Sequence, residues 1–112
     1  YNDGLQQIKN KIQLPFIPNY ATNNAHMYYL VCNSLEERTA LIKHLKDADM
    51  LAVFHYLSLH KSPFYEKKHD ARNLPLADHY SDCLVRLPMY FELEIDTLKN
   101  RILEAILAFY SV

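Results

Sequence analysis

The sequence feature that most constrains the fold is an apolar run, a capped helix and a second apolar run in immediate succession. Residues 26–32 (HMYYLVC) are rich in aromatic and apolar side chains, and so short a run is typical of a buried strand. Ser34, with Glu37 three residues later, forms the pattern of a capping box and predicts the start of a helix. Residues 50–56 then predict a second strand. Such a strand, helix, strand unit favours a right-handed crossover between two parallel strands.

Two segments in the second half of the chain complete the predicted architecture. Residues 77–84 predict a short helix, and residues 84–88 predict a third strand that stops at Pro88. Between residues 95 and 110, Leu98, Ile102 and Ile106 form the apolar stripe of a final helix. The predicted fold class is therefore α/β, in a two-layer α+β arrangement: a small mixed sheet of about three strands with helices packed on it.

Composition excludes several classes of protein. The chain has 112 residues, enough for one domain with its own core, and its formal net charge of -1 gives no nucleic-acid-binding footprint. No apolar run approaches the roughly 20 residues that span a bilayer, and the first residues do not resemble a signal peptide. We therefore expect a cytoplasmic protein with no nucleic-acid or membrane partner, in which Cys32 and Cys83 are buried reduced thiols.

Candidate ligand-binding side chains lie at the end of the second predicted strand and in the loop after it. Function often sits where a rigid element ends and a loop begins, and His55, Tyr56 and His60 place imidazole and phenol groups there. These groups can bond to phosphate, sugar or cofactor oxygens, but their spacing does not name the ligand. Residues 57–75 follow no regular period, and so long a connection is typical of a functional loop. Two histidines without a neighbouring acid or cysteine pattern are a weak metal signal.

The beginning of the chain predicts a helix followed by a connector. Leu5, Ile8 and Ile12 recur at helical spacing, whereas Pro15 and Pro18 prevent regular helix, so residues 13–24 are predicted to be extended. A domain boundary is expected in this connector. The sequence contains a single glycine, which excludes both the phosphate-binding P-loop and the dinucleotide-binding fingerprint.

Three segments of the sequence resemble a known family. They are residues 25–29 (AHMYY), 52–60 (AVFHYLSLH) and 84–93 (LVRLPMYFEL), and their order and gaps are similar to those of the carboxyl-terminal part of the vitamin B6-dependent nucleotide-sugar aminotransferases. A single segment of this kind is weak evidence, but three in order are fairly specific. The sequence after Pro63 departs from the family pattern, which leaves sugar specificity open.

The resemblance implies the C-terminal small domain of the aspartate-aminotransferase fold. Residues 1–24 would be the connecting helix and linker from a large domain, and residues 25–112 the small domain. The whole enzyme, expected to be a homodimer, would transfer an amino group from glutamate to a dTDP-linked 4-keto-6-deoxy sugar. Its pyridoxal phosphate would be bound by the large domain upstream. Because the chain opens at Tyr1 rather than Met, we expect a piece of a longer protein.

The resemblance also places five residues at the substrate cleft: Asn24, His26, His55, Tyr56 and His60. It implies no catalytic, cofactor-binding or metal-binding residue in this chain, since each of the eight lysines lies in a polar run or on a charged helix face. We further expect five apolar side chains to lie against the large domain, and to be mobile, self-associated or folded back over the sheet in this chain alone: Leu5, Ile8, Ile12, Phe16 and Ile17.

Two other classes of protein fit the same sequence. One is a stand-alone α/β ligand-binding or regulatory domain, which would share the order of strands and helices. The other is a metal-site protein that uses His55, His60, His69 or Cys83, although histidines scattered among helices and loops are more often solvated or satisfied in the core.

Overall fold

The computed structural model describes residues 1–111. The strands are β1 (Tyr28–Val31), β2 (Val53–Phe54) and β3 (Leu84–Leu87). The helices are α1 (Asn2–Leu5), α2 (Leu35–Asp47), α3 (Pro75–Cys83), α4 (Ile95–Thr97) and α5 (Glu104–Phe109). A π-helical segment, Leu98–Leu103, joins α4 to α5 in one continuous helix. Short 3₁₀ turns occupy Gln6–Ile8, Leu59–Lys61 and Glu66–Lys68.

The strands pair in the order β1-β3-β2, and both pairs are antiparallel. The predicted fold class is confirmed, and the three strands lie within the predicted ranges. The prediction that the sheet is mixed, with parallel neighbours, is wrong: β1 and β2 run in the same direction, but β3 lies between them. The reason is burial, because β3 buries Leu84, Val85 and Leu87, whereas β2 exposes both Val53 and Phe54. A strand that is apolar on both faces suits the centre of a sheet, and an exposed one suits its edge.

The main hydrophobic core lies between one face of the sheet and a layer of helices. Alternation along the strands sends Leu30 and Val85 to this face and Val31 and Leu84 to the other. The buried side chains of the main core are Leu5, Ile8, Ile12, Leu30, Cys32, Leu41, Leu45, Met50, Ala52, Val85, Leu87, Ile102, Leu103 and Ile106. The predicted apolar stripe of the final helix therefore does face the core.

The beginning of the chain belongs to this core. Leu5, Ile8 and Ile12 are all buried in it, which matches one of the arrangements expected for these residues in the chain alone, namely folded back over the sheet. Residue 13 then continues along the outer edge of β1, where the backbone groups of Gln13 and Val31 exchange two hydrogen bonds of 3.1 and 3.0 Å. Only after this point do large apolar side chains of the segment face solvent, as at Phe16, which is 81% exposed.

Helix α2 begins as its sequence predicts. The Ser34 hydroxyl oxygen accepts a hydrogen bond of 3.2 Å from the Glu37 backbone N–H. The Glu37 carboxylate does not return to Ser34, as a capping box would have it, but accepts from the backbone N–H and side-chain amide of Asn33 at 2.8 and 2.9 Å. Near its other end, α2 is joined to the final helix by a contact of 2.9 Å between His44 Nε2 and the Ala105 carbonyl.

Gly4 allows α1 and the final helix to approach closely. A Cβ atom at this position would overlap the side chain of Leu103, which is itself buried. The only glycine of the sequence thus serves packing between the two ends of the chain.

Candidate functional site

The sheet separates the five predicted cleft residues into two groups. Asn24 and His26 precede β1, whose first residue, Tyr28, pairs with Leu87. His55 and Tyr56 follow β2, whose last residue pairs with Val85, and His60 lies further along the same loop. Because β1 and β2 both start at the Leu87 end of β3, the two groups lie at opposite ends of the sheet. The structure places His55, Tyr56 and His60 around two adjacent cavities next to α3 and does not bring Asn24 or His26 to them.

Helix α3 fixes the segment that carries His55 and Tyr56. The Ser81 hydroxyl donates to the Tyr56 carbonyl at 3.4 Å and accepts from the Ser58 N–H at 3.1 Å. The Ser58 hydroxyl, which is buried, donates to the Ala77 carbonyl at 3.0 Å. Three hydrogen bonds therefore hold residues 56–58 against one turn and a half of helix, although these residues form no regular structure themselves.

His55 and Tyr56 differ in their exposure to solvent. The two rings meet edge to face, with centroids 5.0 Å apart. His55 Nδ1 is buried and has no hydrogen-bond partner among the described residues, whereas the Tyr56 side chain is 77% exposed. Together with Tyr80 and Ser81 they line a cavity of about 210 Å³. An unsatisfied imidazole nitrogen beside such a cavity is available to a ligand that carries a hydrogen-bonding group.

His60 lines a second and larger cavity of about 500 Å³ on the neighbouring side of α3. Ala77 borders both cavities, so the two are adjacent. The residues that line the larger one are Leu59, His60, Tyr65, Lys68, His69, Arg72, Leu74 and Ala77. A volume of this size is in the ordinary range for small-molecule sites.

Asp78 of α3 contacts two side chains of the loop, those of His60 and Lys61, beside the larger cavity. Its Oδ1 atom lies 3.0 Å from His60 Nε2 and 2.8 Å from Lys61 Nζ. The Lys61 ammonium lowers the pKa of the Asp78 carboxyl, and the carboxylate in turn raises the pKa of Lys61. Lys61 is exposed, so its charge pairing competes with water and adds little to the stability of the fold, whereas the His60 and Asp78 side chains are only 13% and 24% exposed and hold each other in position. The ring of His69 lies 5.2 Å from the ring of His60, centroid to centroid.

Asn24 and His26 lie in an exposed turn. Asn24 Oδ1 accepts a hydrogen bond of 3.1 Å from the His26 backbone N–H, and Asn23 Oδ1 accepts one of 2.9 Å from Ala25. Ala25 adopts a positive φ of 52°, which these two side chains stabilise. These local hydrogen bonds account for the two consecutive asparagines, because both side chains stabilise the backbone of the turn. They leave the imidazole of His26 exposed at the Leu87 end of the sheet.

Sequence reasoning missed the contribution of α3. Asp78 and Ser81 were predicted to lie in a short helix, but nothing local relates them to His60 or Tyr56, which precede them by 18 and 25 residues. The available signal was the spacing of Ala77, Asp78 and Ser81, which places all three on one face of the helix.

Metal binding and membrane insertion have no structural signal in the described part of the chain. Among residues 1–111, no three His, Cys, Asp or Glu side chains are grouped so that they could hold a metal ion. None of the helices described there has both the length and the apolar character needed to cross a bilayer.

Comparison with known proteins identifies a family. The model of the DegT/DnrJ/EryC1/StrS aminotransferase family matches residues 1–107, which is nearly the whole chain.

Solved structures of similar fold cover the same extent of the chain. The aminotransferase TlmJ from Streptoalloteichus hindustanus matches 99% of the chain with a TM-score of 0.85 and 20% identity. Sugar aminotransferase CalS13 from Micromonospora echinospora matches 96% with a TM-score of 0.81 and 19% identity. NtdA from Bacillus subtilis, solved with bound cofactor PMP, matches 100% with a TM-score of 0.81 and 17% identity. The chain spans only 29%, 27% and 26% of these three proteins, respectively.

Proposed function

Because the chain belongs to the DegT/DnrJ/EryC1/StrS aminotransferase family, we propose that it is the C-terminal small domain of a nucleotide-sugar aminotransferase that uses pyridoxal phosphate. The observation that carries the proposal is the family match over residues 1–107, together with a fold shared with about a quarter of each solved aminotransferase. Residues 1–24 would connect the domain to a large domain, and residues 25–112 would form the small domain. The N-terminal turns nevertheless pack into the core formed by residues 25–111.

We further propose that the substrate is a dTDP-linked 4-keto-6-deoxy sugar and that glutamate is the amino donor. The support is the resemblance of residues 25–29, 52–60 and 84–93 to the branch typified by dTDP-4-amino-4,6-dideoxygalactose transaminase. In that branch the product serves surface polysaccharide synthesis, either of lipopolysaccharide or of a common antigen. The complete protein is then a cytoplasmic homodimer.

The lysines of this chain do not fit the role of the residue that holds the cofactor. All eight are exposed, and an amine that condenses with an aldehyde must lose its proton easily, which burial or a nearby cation favours. The pKa of Lys61 is shifted the other way, since Asp78 raises it. The cofactor would therefore be bound by the remainder of the longer protein, and no catalytic step is assigned to the chain itself.

The role assigned to the chain is to form one wall of the substrate cleft. His55 offers an unpartnered nitrogen, Tyr56 an exposed ring and hydroxyl, and His60 an imidazole held by Asp78. Such groups donate and accept hydrogen bonds to sugar hydroxyls and phosphate oxygens. Asn24 and His26 stay proposed cleft residues, but they can reach the same substrate only through a surface that another part of the protein supplies.

Two measurements test the proposal. The isolated chain, mixed with pyridoxal phosphate, should show no saturable cofactor absorbance beyond that of free exposed lysines, and it should transaminate no nucleotide sugar. A stable, stoichiometric cofactor absorbance on the isolated chain would contradict the assignment of the cofactor to the rest of the protein.

The second measurement uses the complete reading frame. His55→Ala and His60→Ala should each lower kcat/KM for the nucleotide sugar by at least about tenfold and leave the absorbance of the bound cofactor unchanged. His79→Ala is the matched control, because His79 is an exposed histidine of α3 that lines neither cavity. Normal turnover by both cleft variants would refute the proposed role of this loop.

A further inference from the structure

Two cationic side chains, Lys68 and Arg72, line the same cavity as His60. Each of them has N–H donors that no carboxylate of residues 1–111 accepts. One is the Lys68 ammonium, whose Nζ atom lies 3.9 Å from the centroid of the Phe64 ring. An aromatic face attracts an ammonium group but, unlike an oxygen acceptor, leaves its N–H donors free to bond to another group. Among residues 1–111, no carboxylate is paired with Lys68.

The other cationic group is the guanidinium of Arg72. Its Nε atom donates to Asp70 Oδ1 at 3.0 Å, and the same oxygen accepts from the Arg72 backbone N–H at 3.2 Å. The Arg72 carbonyl lies 3.0 Å from His69 Nε2. These contacts fix the stem of the side chain, whereas the two terminal Nη atoms make no hydrogen bond within the described residues. A guanidinium held in this way presents the paired N–H groups that match phosphate oxygens.

The local charge favours an anion even though the whole chain is nearly neutral. Lys61, Lys68 and Arg72 are three cations on or beside the cavity, and Asp70 and Asp78 are the two carboxylates paired with them. The imidazole of His69 and the hydroxyl of Tyr65 add further polar groups to the same lining. Since the net charge of the whole chain is -1, a long polyanion finds no extended basic surface, and a compact anion fits better.

The lining combines polar and apolar side chains. Leu59, Leu74 and Ala77 supply the apolar part, next to the cationic groups of the loop. A ligand that fits this division has a charged group and a less polar group joined in one molecule. An orthophosphate ion alone would leave most of the 500 Å³ unfilled.

We propose that this cavity binds the diphosphate group of a nucleotide-linked ligand, with Lys68 and the Nη atoms of Arg72 as its charge partners. The proposal rests on the function proposed above in one respect, namely that the diphosphate belongs to the nucleotide sugar. Asp70 then has two opposite effects: it fixes Arg72, and its charge weakens the field that the diphosphate meets. Tyr65 and His69 contribute hydrogen bonds, and the apolar side chains of Leu59, Leu74 and Ala77 face the organic part of the ligand.

The test is a titration of the 112-residue chain with inorganic pyrophosphate, followed by the amide signals in two-dimensional NMR. Saturable shifts should be concentrated in residues 59–77. Lys68→Ala and Arg72→Ala should each weaken binding about tenfold, as expected for the loss of one charge-assisted contact. Lys99→Ala is the matched control, because Lys99 is an exposed lysine on the final helix, outside the cavity lining, and its loss should leave the affinity unchanged.

A second variant separates loss of binding from loss of structure. Asp70→Asn removes the competing charge but keeps an oxygen that can accept from the Arg72 backbone, so we expect it to tighten pyrophosphate binding severalfold. Shifts spread evenly over all exposed lysines, or equal affinities for the Arg72 and Lys99 variants, would overturn the proposal. So would weaker binding by the Asp70 variant.

The outcome is distinguishable from that of the proposed function. If the complete protein has no aminotransferase activity but pyrophosphate still binds at Lys68 and Arg72, the enzyme assignment fails and the anion site stands. If the complete protein transaminates a nucleotide sugar normally with both residues replaced by alanine, the anion site fails and the enzyme assignment stands.

Discussion

Replacement of Leu5 by alanine tests whether the first residues of the chain belong to the domain. In the structure Leu5 is 0% exposed, and it packs in the same core as Ile106 of the final helix. The Leu5→Ala change removes three carbon atoms from a fully buried position, and the neighbouring Gly4 already lies in close contact with Leu103. So close an approach of α1 to the final helix leaves the site little freedom to collapse into the space that the smaller side chain leaves.

The expected cost follows from that packing. Truncation of a fully buried leucine to alanine lowers the free energy of unfolding by about 2 to 5 kcal/mol, and poor relaxation favours the upper part of this range. A domain of this size has a total of roughly 5 to 15 kcal/mol. With a urea dependence of about 1 to 3 kcal/mol per molar, a loss of about 3 kcal/mol moves the unfolding midpoint by roughly 1 to 3 M.

The assay is urea unfolding of the 112-residue chain, followed by far-ultraviolet circular dichroism. Phe16→Ala is the matched control, since Phe16 is a larger apolar residue of the same segment but is 81% exposed, and its truncation should change the free energy by about 0.5 kcal/mol or less. If Leu5→Ala and Phe16→Ala had equal midpoints, the N-terminal turns would not be part of the core, and residues 1–24 would behave as the independent connector that the sequence predicts.

Three further outcomes are expected. Gly4→Ala should lower the free energy of unfolding by about 1 to 3 kcal/mol in the same urea assay, because its Cβ meets Leu103, and Leu103→Ala in the same chain should make the Gly4 change less costly. Tyr110→Phe should cost about 1 to 3 kcal/mol, since the hydroxyl donates to Glu37 Oε1 at 2.7 Å, and a Glu37→Gln background should reduce the loss. Burial raises the pKa of the Cys32 thiol from 9.0 to about 12, so its stabilisation is complete below pH 9.0 and is lost as the pH rises towards 12. Urea melts across this interval should fall less steeply for Cys32→Ala than for the unchanged chain, and equal slopes would contradict the shift.

The helices were predictable because their signals are local. Ser34 and the apolar positions Leu41 and Leu45 lie within a dozen residues of one another, and a helix needs nothing from outside that interval to define its start and its buried face. The final helix is predictable for the same reason, through Ile102 and Ile106. Its π-helical turns were not, since no residue type in Leu98–Leu103 specifies an extra residue per turn.

The pairing of strands was not predictable, because it depends on residues far apart in sequence. The segment of residues 26–56 by itself is a strand, helix, strand unit, for which two parallel neighbours are the commonest outcome. Only the high apolar content of β3, nearly thirty residues further on, makes insertion of that strand between the other two favourable. The periodicity of Leu5, Ile8 and Ile12 likewise predicts a buried face but does not identify the surface that buries it.

The loop after β2 was predictable as a candidate site, whereas the groups that position its side chains come from elsewhere in the chain. His55, Tyr56 and His60 are recognisable in the sequence because polar rings follow an apolar strand. The groups that position them, Asp78 and Ser81, come from a helix whose sequence signals nothing but a helix. Contacts between side chains that are far apart in sequence produce no periodic pattern, so such contacts can be identified only when the fold is known.

The distance between the two groups of cleft candidates limits what one copy of the domain can do. In the register of β3, Tyr28 is level with Leu87, and His55 comes one residue beyond the pairing of Phe54 with Val85. Three residue steps therefore separate these two levels, which is about 10 Å of strand, and His26 lies further still from His55. A ligand held by His55 and His60 next to α3 is thus remote from Asn24 and His26 of the same chain. If all five residues serve nucleotide-sugar binding, either one ligand extends along the length of the sheet or each end of the sheet faces its own binding surface, completed by protein outside this domain.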